Sequence, residues 1–102
     1  MELKNLITAV KEKNLTKDQL ENYRDEMSYV YAEMQMELAE CEKSKALYFE
    51  EVKRQYKEAS DISIKRNWQV QKQGLREIVL KRYCLATKEL LNSLKSRLYQ
   101  VY

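Results

Sequence analysis

Apolar residues recur along this chain in steps of three and four, the spacing that keeps one face of an α-helix apolar. Leu3, Leu6, Ile7 and Val10 fill one such face and predict a short amphipathic helix over residues 2–13. Asn14 and Leu15 interrupt it. Thr16 then carries a full set of helix-start signals. Thr16 and Gln19 form a capping box, each side chain covering an otherwise unpaired backbone N–H, and Leu15 and Leu20 occupy the two positions of a hydrophobic staple. Asp18 places a carboxylate in the first turn, where the helix dipole favours negative charge.

From Leu20 the stripe runs through Tyr23, Met27, Val30, Met34, Leu38, Cys41, Tyr48, Val52, Tyr56 and Ala59, with Lys45 the one charged residue in the rhythm. It predicts a first arm over 17–60, roughly 65 Å of helix at 1.5 Å per residue. Ser60 and Asp61 are good N-cap residues and mark the reversal. A second arm over 62–101 carries Ile64, Trp68, Leu75, Val79, Tyr83, Ala86, Leu90, Leu94, Leu98 and Val101. Gly74 falls inside it and predicts a weak point or a kink. The fold class is all-α: one domain over 1–102, a short helix followed by a long antiparallel helical hairpin.

If the hairpin folds near residue 62, facing positions sum to about 124. Tyr23 then meets Val101, Val30 meets Leu94, Met34 meets Leu90, Leu38 meets Ala86, Cys41 meets Tyr83, and Tyr56 meets Trp68. Cys41 and Cys84, at 125, come near each other across the seam. Apolar residues also lie off both stripes: Tyr29, Tyr31, Met36, Leu47 and Phe49 on the first arm, Ile78, Leu80, Leu85 and Leu91 on the second. Helices with so wide an apolar surface contact more than one neighbour. A homodimer or higher oligomer is expected, most economically two hairpins forming a four-helix core.

Composition removes several classes. The chain has no proline, no histidine, one glycine and two cysteines among 102 residues. Without histidine there is no Glu-x-x-His di-metal set, and the recurring glutamates read as a solvated face. No glycine-rich phosphate loop or nucleophile elbow is present, so no enzyme, catalytic residue, metal or cofactor is expected. Two cysteines make no disulfide framework and suit buried thiols in a reducing cytoplasm. No apolar run approaches the ~20 residues of a membrane span, and no signal peptide is read at the N-terminus.

Charge adds one more layer. The overall +3 hides a dipolar chain, with 10 basic and 13 acidic residues in 1–60 against 9 basic and 3 acidic in 61–102. Segment 18–42 sets eight carboxylates against Arg24 alone, and its expected partner, 81–102, is basic. Around the reversal, residues 43–76 hold nine cations and four acids near Tyr56 and Trp68. Basic side chains interleaved with aromatics can hold phosphates and stack on bases. The candidate nucleic-acid-binding residues are Lys53, Arg54, Lys57, Lys65, Arg66, Trp68 and Lys72. The competing view of the same residues is a solvated helix end whose aromatics close the apolar seam.

The last 40 residues carry a resemblance. Lys65, Arg66 and Trp68 ahead of a long helix that ends in Leu91, Leu94, Lys95 and Ser96 resemble the second half of small helical-hairpin proteins of bacteriophages and prophages. The resemblance implies a non-enzymatic accessory protein working beside phage recombination or replication functions in the host cytoplasm. Its partners would be copies of itself and DNA or RNA at the basic tip, with no membrane. The alternative is a protein-interaction module, an inhibitor of a host factor or a virion component.

Overall fold

A computed structural model describes residues 2–12 and 14–101, apart from the side chain of Val101. It contains four α-helices and, among the described residues, no strand: α1 (Leu3–Val10), α2 (Lys17–Gln55), α3 (Asp61–Gln69) and α4 (Lys72–Val101). The chain divides into two compact units. One comprises residues 1–34 and 83–102; the other comprises residues 35–82.

In the first unit, α1, the start of α2 and the end of α4 enclose a core of Leu6, Val10, Leu15, Leu20, Met27, Leu91 and Leu94, with Tyr23, Val30, Tyr31, Leu90 and Leu98 packed against it. Val30 and Leu94, expected to face each other, share this core. The first helix spans Leu3–Val10 and stops short of the expected 13, with Lys11 in a turn; Lys13 itself and the partner expected for Tyr23, the Val101 side chain, lie outside the described residues. The α2 start is the one the sequence predicts. Thr16 N donates to Gln19 Oε1 at 2.9 Å, and Gln19 N donates to Thr16 Oγ1 at 3.1 Å. Leu15 and Leu20 are both buried. The C-terminal end of α1 is held by Arg97, whose guanidinium donates to the carbonyls of Val10 at 2.7 Å and Glu12 at 2.9 Å. The Val10 carbonyl closes the helix and the Glu12 carbonyl lies just beyond it, where no further helical turn can pair them, and the charged donor supplies a partner.

The second unit contains the remainder of α2, all of α3 and the first turns of α4. Two boundaries here correct the sequence reading. The first arm stops at Gln55 rather than 60, because the chain turns through residues 56–60 and starts α3 on a cap, with Ser63 N donating to Ser60 Oγ at 3.1 Å. The second arm is not continuous from 62 to 101. It breaks at Val70–Gln71, where Gln71 N donates to the Trp68 carbonyl at 3.0 Å.

Gly74 is the reason the break can be so tight. A Cβ there would overlap the Trp68 carbonyl oxygen and lie 2.7 Å from its carbon. The backbone at Gly74 has no positive φ, so glycine is required for close approach and not for an unusual conformation.

The α4 face also differs from expectation. Leu75, Val79, Tyr83 and Ala86 are exposed, and the buried side runs Glu77, Leu80, Cys84, Thr87, Leu91 and Leu94. Its steps are three and four without exception, but two of its members are polar. The expected stripe fails only between Leu75 and Ala86; Ile64, Trp68 and Leu94 are buried as expected, and Leu90 and Leu98 pack against the core. Tyr56 and Trp68 do not pair either: Tyr56 is exposed, and the Trp68 ring lies 5.6 Å from the ring of Tyr48. The five residues of the 56–60 turn and the break at 70–71 shift the register that a smooth hairpin would have.

Candidate nucleic-acid interface

The second unit holds 11 basic and 8 acidic residues and the first unit holds eight of each, so the whole net charge of +3 belongs to the second. Part of that charge is internal to the fold. Lys45, the charge that interrupted the α2 stripe, places its Nζ 3.4 Å from Glu77 Oε1, with the Glu77 side chain 5% exposed. Lys81 Nζ lies 3.9 Å from the same oxygen. The two charges that break the apolar rhythm of facing helices therefore meet each other. The second carboxylate oxygen of Glu77 and the indole N–H of Trp68 have no hydrogen-bond partner among the described residues.

A buried pair of this kind is costly to break but adds little net stability, since desolvation offsets attraction. Lys45→Met alone is expected to cost about 2 kcal/mol, a figure discounted because Lys45 reaches solvent and Lys81 is close. Lys45→Met with Glu77→Leu is expected to be neutral or stabilising. Urea denaturation of the four members of the cycle checks both. Losses that simply add in the double variant would show that the pair is not coupled.

On the surface, Arg76 grips Glu37 through two hydrogen bonds, 2.7 Å from Nε and 3.0 Å from the terminal nitrogen. The guanidinium hydrogen bonds hold the Glu37 carboxyl below its ordinary range. Nearby, burial pushes the Cys41 thiol up, with the carboxylates of Glu37 and Glu77 adding to the effect. In the first unit, burial alone raises Cys84. Both thiols are free. A raised thiol is a poor nucleophile, which suits side chains that serve as packing.

The seven residues proposed from sequence separate into three groups. Lys53 pairs with Asp61 at 2.6 Å and Arg54 with Glu51 at 3.0 Å, so both are partly neutralised at the surface. Trp68 is 1% exposed and cannot stack on a base in this conformation, which removes it from the interface. It belongs to the core of the unit, on the side of α3 it shares with Ile64.

Lys57, Lys65, Arg66 and Lys72 are exposed and lie outside every ion pair among the described residues. Lys65 and Arg66 occupy the outer side of α3, Lys72 opens α4, and Lys57 sits in the turn after α2. That turn borders an open groove of about 540 Å3 lined by Tyr48, Val52, Tyr56, Lys57, Ser63 and Asn67 among others. The available aromatic is Tyr56, 66% exposed, which takes the place assigned to Trp68. Ser63 and Asn67, which offer hydroxyl and amide groups to the groove, carried no signal in the sequence. They sit on α3 between its apolar and basic positions.

Among the described residues no group of three or more His, Cys, Asp or Glu side chains is placed to hold a metal ion, and no helix is long and apolar enough to cross a membrane. No protein-family model, curated protein or solved structure matches the chain.

Proposed function

We propose that this chain is a non-enzymatic accessory protein of phage type that binds nucleic acid through the tip of its second unit and assembles with copies of itself. One observation carries the nucleic-acid reading. Four exposed cations of the second unit lie outside every ion pair among the described residues, and one of them, Lys57, lines an open groove together with the exposed Tyr56. Phosphates are held mainly by such charge, and an exposed ring stacks on any base. The resemblance of the α3–α4 segment to phage proteins encoded near recombination and replication genes supports the same reading. Self-assembly is supported by the apolar side chains that neither unit covers, Met36, Leu47 and Leu75 among them.

The test is fluorescence anisotropy with labelled single-stranded and duplex DNA and RNA across a salt series. Binding is expected at low salt, with a log–log slope near −3 if all four cations contact phosphate, since each contact contributes roughly 0.7–0.9. Glutamate at Lys57, Lys65, Arg66 and Lys72 is expected to abolish binding with helicity unchanged. Tyr56→Ala is expected to weaken single strands about tenfold or more, the loss of one stacked base. No binding by the wild type at low salt overturns the reading. The uncovered apolar side chains then favour the alternative, a protein-interaction module such as an inhibitor of a host factor or a virion component.

A further inference from the structure

The outer faces of α2 and α4 in the second unit are both unpartnered, and their chemistry is complementary. On α2 the side turned away from Cys41, Tyr48 and Val52 carries Glu40, Lys43, Leu47 and Glu50, one turn beyond Met36. Met36 and Leu47 are 72% and 59% exposed. On α4 the side turned away from Gly74, Glu77 and Leu80 carries Lys72, Leu75, Val79 and Arg82, all exposed. Neither Glu40 nor Glu50 on the first face, nor Lys72 or Arg82 on the second, belongs to an ion pair among the described residues.

We infer that the α2 face of one copy packs antiparallel against the α4 face of a second copy, head to tail. The steps along α2 from 40 are three, four, three; those along α4 read backwards from 82 are three, four, three. One register therefore sets Glu40 against Arg82, Leu47 against Leu75 and Glu50 against Lys72 of the other copy. It also lays the Lys43 stem over Val79, the usual use of a long basic side chain on an apolar surface. Acids meet bases at both ends of an apolar centre, the arrangement that fixes partner and direction between helices.

Pairing α2 with α2 would instead set the acids flanking that face against each other. Alanines at 39 and 46 border the α2 face and leave room for close approach. Because the two faces differ, each copy keeps one free face after pairing, so assembly proceeds as a chain or a closed ring rather than stopping at a symmetric dimer.

This rests on the self-assembly proposed above and specifies its geometry. The test uses two full-length variants, Glu40→Lys with Leu47→Lys, and Leu75→Gln with Val79→Gln. All four positions are solvent-exposed, and circular dichroism checks that helicity is retained. By light scattering, wild type is expected to show a mass that rises with concentration over tens of micromolar. Each variant alone is expected to be monomeric. An equimolar mixture is expected to give a 1:1 dimer, joining the intact α2 face of one variant to the intact α4 face of the other.

A monomeric wild type overturns both this inference and the self-assembly it rests on. An assembling wild type overturns this inference alone if the mixed variants stay monomeric or if the Leu75→Gln, Val79→Gln chain assembles by itself. Assembly sets Lys72 against Glu50 of the next copy, so DNA binding is read on the monomeric Leu75→Gln, Val79→Gln variant, which keeps Lys72 and the charge of the wild type.

Discussion

Gly74→Ala is expected to destabilise the protein by about 3 kcal/mol, although it replaces the poorest helix former short of proline with the best. Propensity alone would give a gain of about 1 kcal/mol. The added methyl, however, overlaps the Trp68 carbonyl oxygen and sits 3.1 Å from Gln69 Cα, all of it backbone. A side chain can swing aside; a helix end cannot without losing the Gln71-to-Trp68 hydrogen bond that shapes the break. The Tm is expected to fall by roughly 15 °C, taking about 5 °C per kcal/mol for a chain of this size. Calorimetry on the variant measures it. An unchanged or higher Tm would mean that α3 and α4 do not approach at this point.

Trp68→Ala is expected to cost about 4 kcal/mol, the range for deleting a fully buried aromatic ring. The ring packs against Tyr48 and is among the largest fully buried side chains of the chain. Trp68→Phe should cost only about 1 kcal/mol, because the volume it removes is offset by removing an indole N–H with no described partner. Chemical denaturation followed by circular dichroism compares the two. Equal costs would show that the indole makes a hydrogen bond. Trp68 is also the sole tryptophan, so its fluorescence reports the second unit and should shift little on adding DNA, which Tyr56 and the cations meet first.

The sequence was most informative where local chemistry decides the structure. The Thr16–Gln19 box and the Ser60 cap need only residues three apart, and both starts are where those residues place them. The buried side of α2 was also legible: Leu20, Met27, Met34 and Cys41 are all buried, and Lys45 was recognised as the odd member. What remained hidden depended on partners distant in sequence. Glu77 and Thr87 mark the buried side of α4, but periodicity counts them as surface until Lys45 is known to face Glu77. The break at Val70–Gln71 carries no proline, and its glycine lies three residues later, where the approach rather than the turn demands it.

The candidate interface was half legible for the same reason. Cation content could be counted, but which lysines were already engaged could not. Lys53 and Arg54 are held in ion pairs; Lys57, Lys65, Arg66 and Lys72 are in none among the described residues. The choice between Trp68 and Tyr56 turned on five residues of turn.

Arg97 closes a far larger loop than any described contact of the second unit. Its bonds to Val10 and Glu12 span 87 and 85 residues, whereas Arg76 and Glu37 are 39 apart. The extra closure entropy is small, about 0.7 kcal/mol. The time needed to make the contact is not small, since folding rates fall as contacts grow more distant. On a ribosome, residues 35–82 can complete their contacts while α1 still waits for α4 to emerge. Until then Leu6 and Val10 have only part of their core, and the N-terminal helix is where a chaperone or a protease has its longest opportunity.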